Sequence, residues 1–170
     1  MCRLFLILFF MFFVPVFGGD SEALFSAIRW YYPGVVSRDA RVISDCIVSE
    51  SMAVGIDPFL VGAIIGVESR FDSRAMGRGG SAGLGQLMPG TYRRLGVSDP
   101  LCVSENVSAT VLYLDAMFME WMSSQYARRL AVASYHRGEM HYKRRGGKLD
   151  VSGRRYIAKV VREYERLSIF

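Results

Sequence analysis

Glu68 stands at the end of an apolar run, Ala63-Ile64-Ile65-Gly66-Val67. A glutamate in that company is poorly solvated, and burial disfavours its charged form and raises its pKa. On a helix, the negative C-terminal dipole pushes the same way, by about 0.3–1 kcal/mol. A carboxyl that keeps its proton near neutrality is what a general acid requires. The plain alternative is a solvated surface charge. Asp72 is the one nearby candidate for a second carboxylate, and no spacing rule places it across a cleft, so it reads as structural.

Three further stretches carry polar or aromatic groups in unusual settings. Residues 80–91 read GSAGLGQLMPGT, where small residues allow a ligand or another backbone to approach closely. Within it, Gln86 can both donate and accept, which suits sugar hydroxyl and acetamido groups. Ser134-Tyr135-His136-Arg137-Gly138 falls at a helix end, and Tyr156 lies among Arg154, Arg155 and Lys159. An ordinary glycine-rich connection and core tyrosines are the bland readings of the same residues. Gly79-Gly80-Ser81-Ala82-Gly83 fits a G-x-S-x-G nucleophile elbow only formally, because no strand precedes it. The glycines lack the Lys-Ser or Lys-Thr that closes a phosphate loop. His136 and His141 are spaced wrongly for two ligands on one helix face, so no metal and no cofactor is expected.

These groups need elements to hold them. Residues 39–54 carry Val42, Ile43, Cys46, Ile47 and Val54 at helical spacing and stop at Gly55. Asp57-Pro58 opens a second helix, with Asp as cap and Pro at the first helical position, running to about Arg70. Leu60, Val61, Ala63, Ile64, Ile65 and Val67 make it apolar nearly all round, which predicts a buried central helix. Residues 72–83 form a glycine loop and a short helix follows from Gly85 to Leu95. Ser104 caps a long helix to Met122, with Val107, Val111, Leu114, Phe118 and Trp121 as its core stripe. Residues 126–137 make another helix, with Leu130, Ala131 and Ser134 on one side. Residues 138–152 read as a polar loop. A last helix over 153–167 presents Ile157, Val160, Val161 and Tyr164 on one face. No strand-type alternation appears, so the fold class is mainly α.

The chain has 170 residues, 21 basic and 16 acidic, and 51% of it is hydrophobic, which excludes intrinsic disorder. Part of that apolar content sits at the start. Arg3 precedes the run LFLILFFMFFV at residues 4–14, and Pro15 and Gly18-Gly19 follow. That pattern reads as a secretory signal peptide over 1–18, or an uncleaved anchor, being shorter than the ~20 residues of a spanning helix. Residues 19–38 read as a lead-in with one short helix, and 39–170 as the domain proper. Cys46 and Cys102 would be free to pair in an exported chain. The basic stretch His141-Tyr142-Lys143-Arg144-Arg145-Gly146-Gly147-Lys148, with Arg154 and Arg155, reads as a solvated loop or a contact for anionic cell-wall polymer; nucleic acid is not expected.

Taken in order, Val67-Glu68-Ser69-Arg70-Phe71-Asp72, GSAGLGQLMPGT, Glu105-Asn106, Ala133-Ser134-Tyr135-His136-Arg137-Gly138 and Tyr156 resemble the lytic transglycosylases of the soluble-lytic-transglycosylase (SLT) type, relatives of goose-type lysozyme. The resemblance covers about residues 40–165. It implies a lysozyme-like α-helical domain with a glycan-binding cleft. It further implies cleavage of peptidoglycan between N-acetylmuramic acid and N-acetylglucosamine, leaving a 1,6-anhydro product, and an exported, periplasmic or envelope-associated bacterial protein. Glu68 then matches the catalytic acid/base, and Ser69 the second member of the Glu-Ser pair. Gln86 and Met88 match cleft residues of the Gly-Leu-Met-Gln element, Tyr135 the Ala-Tyr-Asn tyrosine, and Tyr156 the late tyrosine near the catalytic carboxyl. The chain departs from the pattern at four places. Gly85 replaces Met, which predicts a wider cleft wall, and Gly77 replaces a sugar-contacting Ser. His136 replaces Asn, and Arg137 a small residue. A hydrolytic muramidase of the same fold, or a peptidoglycan-binding module without turnover, are the other functions this pattern allows.

Overall fold

The structure, a computed structural model, describes residues 19–170; the expected signal segment, residues 1–18, lies outside the described residues. In chain order the helices are α1 (Gly19–Tyr31), α2 (Ser37–Val54), α3 (Pro58–Ser69), α4 (Pro89–Arg94), α5 (Val103–Trp121), α6 (Ala127–Arg137), α7 (Glu139–Lys143) and α8 (Val151–Leu167). One 3-10 turn, Arg78–Gly80, lies in the glycine loop. No extended strand forms among the described residues; Met76, Ala82 and Leu87 make only isolated bridges.

The central position of α3 follows from its sequence. Val61, Ala63, Ile64 and Ile65 are inaccessible to solvent, so apolar groups on every side of the helix are covered. The Asp57 carboxylate accepts from the Phe59 N–H at 2.9 Å, and Pro58 takes the first helical position, as the sequence predicts. Gly62 and Gly66 leave room for neighbours: a Cβ at Gly62 would lie 3.1 Å from Leu24 of α1, and one at Gly66 3.0 Å from Glu163 of α8. Thus α8 runs against α3 in the opposite direction, with Tyr164 beside Asp57 at one end and Tyr156 beside Glu68 at the other.

The stretch read as a lead-in is packed into the same core. Leu24, Ala27 and Ile28 of α1 are fully buried, and Tyr32 donates to the buried Glu163 carboxylate at 2.5 Å. Several boundaries differ from the sequence expectations. The short helix begins at Pro89, not Gly85, because Ala82 and Leu87 exchange backbone hydrogen bonds around a turn in which Gln86 has φ 48°. Cys102, not Ser104, is the cap position of α5. The carboxylate of Glu105 in the first turn folds back onto the N–H groups of Ser98 and Asp99. The expected loop 138–152 contains α7, whose Tyr142 is fully buried, and Asp150 caps α8 two residues earlier than expected by accepting from the Gly153 N–H.

The buried face of α8 is Gly153, Tyr156, Val160, Glu163 and Leu167, while Val161 is half exposed. The apolar pattern missed this register because two of its members, Tyr156 and Glu163, are buried through hydrogen bonds rather than by hydrophobicity. Cys46 and Cys102 are both free thiols.

Candidate active site

Glu68 occupies the last turn of α3, partly buried. Its Oε1 accepts a hydrogen bond from the Tyr156 hydroxyl at 2.6 Å. Burial raises the proton affinity of the carboxyl above its ordinary value. The Tyr156 hydrogen bond and the charge of Lys159 oppose that rise without cancelling it. Tyr156 is itself buried, and burial together with the Glu68 charge holds its phenol firmly protonated. The phenol is therefore a permanent donor to the carboxylate. His136 lies flat on the Tyr156 ring, with centroids 4.5 Å apart and planes 8° from parallel. The other side chain of that pair of residues points inward: Tyr135 is buried, feels the Glu68 charge, and donates to the Gly85 carbonyl at 2.8 Å.

That last bond ties the glycine turn to the Glu68 neighbourhood. Asn106 of α5 completes the tie. Its side-chain carbonyl accepts from the Gly85 N–H at 2.8 Å, and its amide donates to the carbonyls of Ala82 and Pro100 at 3.1 and 2.8 Å. In the sequence Asn106 stands out only as part of a pattern; its function as a clamp becomes visible once two loop backbones converge on it.

The expected widening at Gly85 is not what the fold does. A Cβ at position 85 would lie 1.9 Å from Thr110 Oγ1 and 2.7 Å from the Tyr135 hydroxyl, so those side chains fill the space a methionine would need. Gly77 is equally enclosed, with Ser81 Oγ and Gln86 Oε1 at 2.2 and 2.4 Å from such a Cβ.

The remaining residues singled out by sequence fall into two groups. Ser69 is buried and donates to the Ile65 carbonyl one turn back, at 3.2 Å. Gln86 spends its polar atoms on the loop: its amide donates to the Ala75 and Gly83 carbonyls, and its oxygen accepts from Ser81. Met88 and His136 are exposed. Asp72 stands apart from Glu68, its carboxylate capping the N–H of Arg74 at 2.9 Å. An open depression of about 1070 Å³ begins at Arg70 and runs past Asp72, Arg74, Tyr31 and Tyr32; Glu68 is not among its lining residues. The basic stretch after α6 is folded rather than free. His141 bonds Asp150 at 2.9 Å, Lys143 pairs with Glu120 at 2.6 Å, and Arg154 donates to the Leu149 carbonyl. Among the described residues, no cluster of side chains has the composition of a metal site.

One phenol-bound carboxyl with raised proton affinity can give a proton to an oxygen and take one back. A family model for the transglycosylase SLT domain matches residues 45–156, about two-thirds of the chain, and spans every residue of this constellation from Glu68 to Tyr156. The all-helical architecture agrees with the lysozyme-like fold of that domain. The chain belongs to the transglycosylase SLT domain family, whose substrate is peptidoglycan.

Proposed function

We propose that the protein is a peptidoglycan lytic transglycosylase that breaks the β-1,4 bond between N-acetylmuramic acid and N-acetylglucosamine, with Glu68 as its single general acid/base. The observation that carries this reading is the 2.6 Å Tyr156–Glu68 hydrogen bond on a carboxyl whose proton affinity burial has raised. Most glycosidases that use water or a protein nucleophile employ two carboxylates. Here the groups that act on the Glu68 carboxyl are a phenol and an ammonium. One carboxyl suffices when the attacking group is the substrate's own 6-hydroxyl. Glu68 protonates the glycosidic oxygen, and the C–O bond to the muramoyl anomeric carbon breaks. The resulting carboxylate is stabilised by the Tyr156 hydroxyl. It then removes the proton from the 6-hydroxyl as that oxygen bonds to the anomeric carbon. Glu68 ends protonated, and no water is consumed. Tethering gives the hydroxyl a high effective concentration against solvent.

In this reading the site residues divide by what they touch. Met88 and His136, being exposed, meet the glycan. Ser69, Gln86 and Tyr135 fix the walls through their backbone bonds. The N-terminal apolar segment directs the protein to the bacterial envelope, and the folded basic stretch around Arg144, Arg145 and Lys148 is available to anionic wall polymer. Mass analysis of products from purified sacculi tests the reading. Anhydromuramoyl ends, one water lighter than hydrolysed ends, are expected. Reducing ends alone would replace the proposal with a hydrolytic muramidase, and binding without product with an inactive module.

A further inference from the structure

Tyr156, Val160 and Glu163 turn α8 toward α3. Arg155, Lys159 and Arg162 recur at intervals of four and three residues, which puts them on one flank of the same helix. All three are exposed, and among the described residues no ion pair engages any of them. Three other cations of the fold are paired. Arg166, next along the flank, pairs with Glu163 at 3.0 Å, Arg41 with Glu22 and Lys143 with Glu120. Like charges three and four residues apart on a helix repel one another. An anion seated beside the row relieves that repulsion.

The row begins at the active site. Lys159 is one turn beyond Tyr156, whose hydroxyl is on Glu68, and its charge is felt by both Glu68 and His136. An anion seated on the row is therefore placed to belong to the ligand that reaches Glu68. In peptidoglycan the sugars of the strand are uncharged. The carboxylates belong to the short peptides attached through the lactyl group of the muramic acid, the same residue whose bond is to be cut. From Arg155 to Arg162 the helix rises about 10 Å, the span of about three extended residues.

We propose that the Arg155–Lys159–Arg162 flank of α8 binds the carboxylates of the peptide stems, so that the protein selects peptide-bearing over bare glycan strands. This rests on the peptidoglycan reading above and adds a specificity to it. A phosphate polymer of the wall would match the charge but would not be tied to the position of Glu68.

The test compares the full chain with the Arg155→Glu/Arg162→Glu double variant, leaving Lys159 intact because it adjoins Glu68. Substrates are peptidoglycan strands with their peptides and the same strands stripped by an amidase, with the lactyl carboxylates that stripping frees capped as amides. Binding at low salt and kcat/KM are both measured. Wild type should favour peptide-bearing strands, with the preference fading as salt rises. The double variant should lose about tenfold on peptide-bearing strands. Its rate on stripped strands and its thermal midpoint should match wild type. Equal turnover of both strands by wild type overturns the peptide site and leaves the lyase reading standing. Peptide-dependent binding that the double variant loses, without turnover by either protein, overturns the lyase reading and supports the site. Tighter binding of wild type to a stem-free phosphate polymer than to peptide-bearing strands overturns the assignment to stems.

Discussion

Two opposed influences set how Glu68 holds its proton. Burial raises its proton affinity, and the Tyr156 hydroxyl, by donating to the ionised form, lowers it. Removing the hydroxyl leaves burial less opposed, so the carboxyl of a Tyr156→Phe variant titrates at higher pH. The alkaline limb of the rate profile, where a general acid loses its proton, should then move upward. The maximal rate should fall about tenfold, because the carboxylate formed in the first step loses a hydrogen bond. A pH–rate series checks both, and a limb that moves downward would contradict the assignment. Glu68 was legible in the sequence because a glutamate after Ile64-Ile65-Gly66-Val67 has few routes to water. Its partnership with Tyr156, 88 positions away, rested on family resemblance alone, since no local pattern connects them. Neither did sequence expose the stack of His136 on Tyr156, which joins a helix end to the middle of α8.

Between helices, the turn at residues 83–87 is held by side chains far away in sequence. Asn106 satisfies one buried N–H and two carbonyls of two converging segments, the 82–87 turn and the Pro100 turn. An Asn106→Ala variant leaves those groups without partners, at a cost of about 3 kcal/mol. For a domain of this size that lowers the thermal midpoint by about 9 °C; a shift under about 2 °C would show that the clamp is dispensable. Gly85 tests the same turn from the opposite direction. Methionine, the residue common in the family at this place, would put its Cβ into Thr110 and Tyr135. Overpacking of that kind should destabilise Gly85→Met by about 3 kcal/mol, measurable by denaturant unfolding. The paired change of Thr110 to Gly should recover part of the loss. The turn was misread as helix because nothing in the Leu84-Gly85-Gln86-Leu87 pattern announces that Gln86 adopts a left-handed conformation. The sequence did mark α3, since Asp57-Pro58 and the unbroken apolar surface are local signals.

Across the whole molecule, α1 and α8 enclose α3, and their contact explains why the segment before residue 39 is structural. Leu24 and Ile28 are each fully buried, together contributing about 3–6 kcal/mol. That is a large share of the about 5–15 kcal/mol by which an ordinary domain is stable. A chain beginning at Asp39 should therefore lose cooperative thermal unfolding, as followed by circular dichroism; a sharp transition at the wild-type midpoint would contradict this packing account. Sequence underrated the segment because α1 is short and its polar residues are conspicuous, whereas its partners Gly62, Gly66 and Glu163 become visible only once the helices are assembled. In the proposed reaction one carboxyl, Glu68, performs both proton transfers. The most direct measurement is product analysis of sacculi treated with wild type and with Glu68→Gln, the variant's fold verified by its circular dichroism. Wild type should release anhydromuropeptides and Glu68→Gln should release none. Undiminished release by the folded variant would remove Glu68 from the reaction.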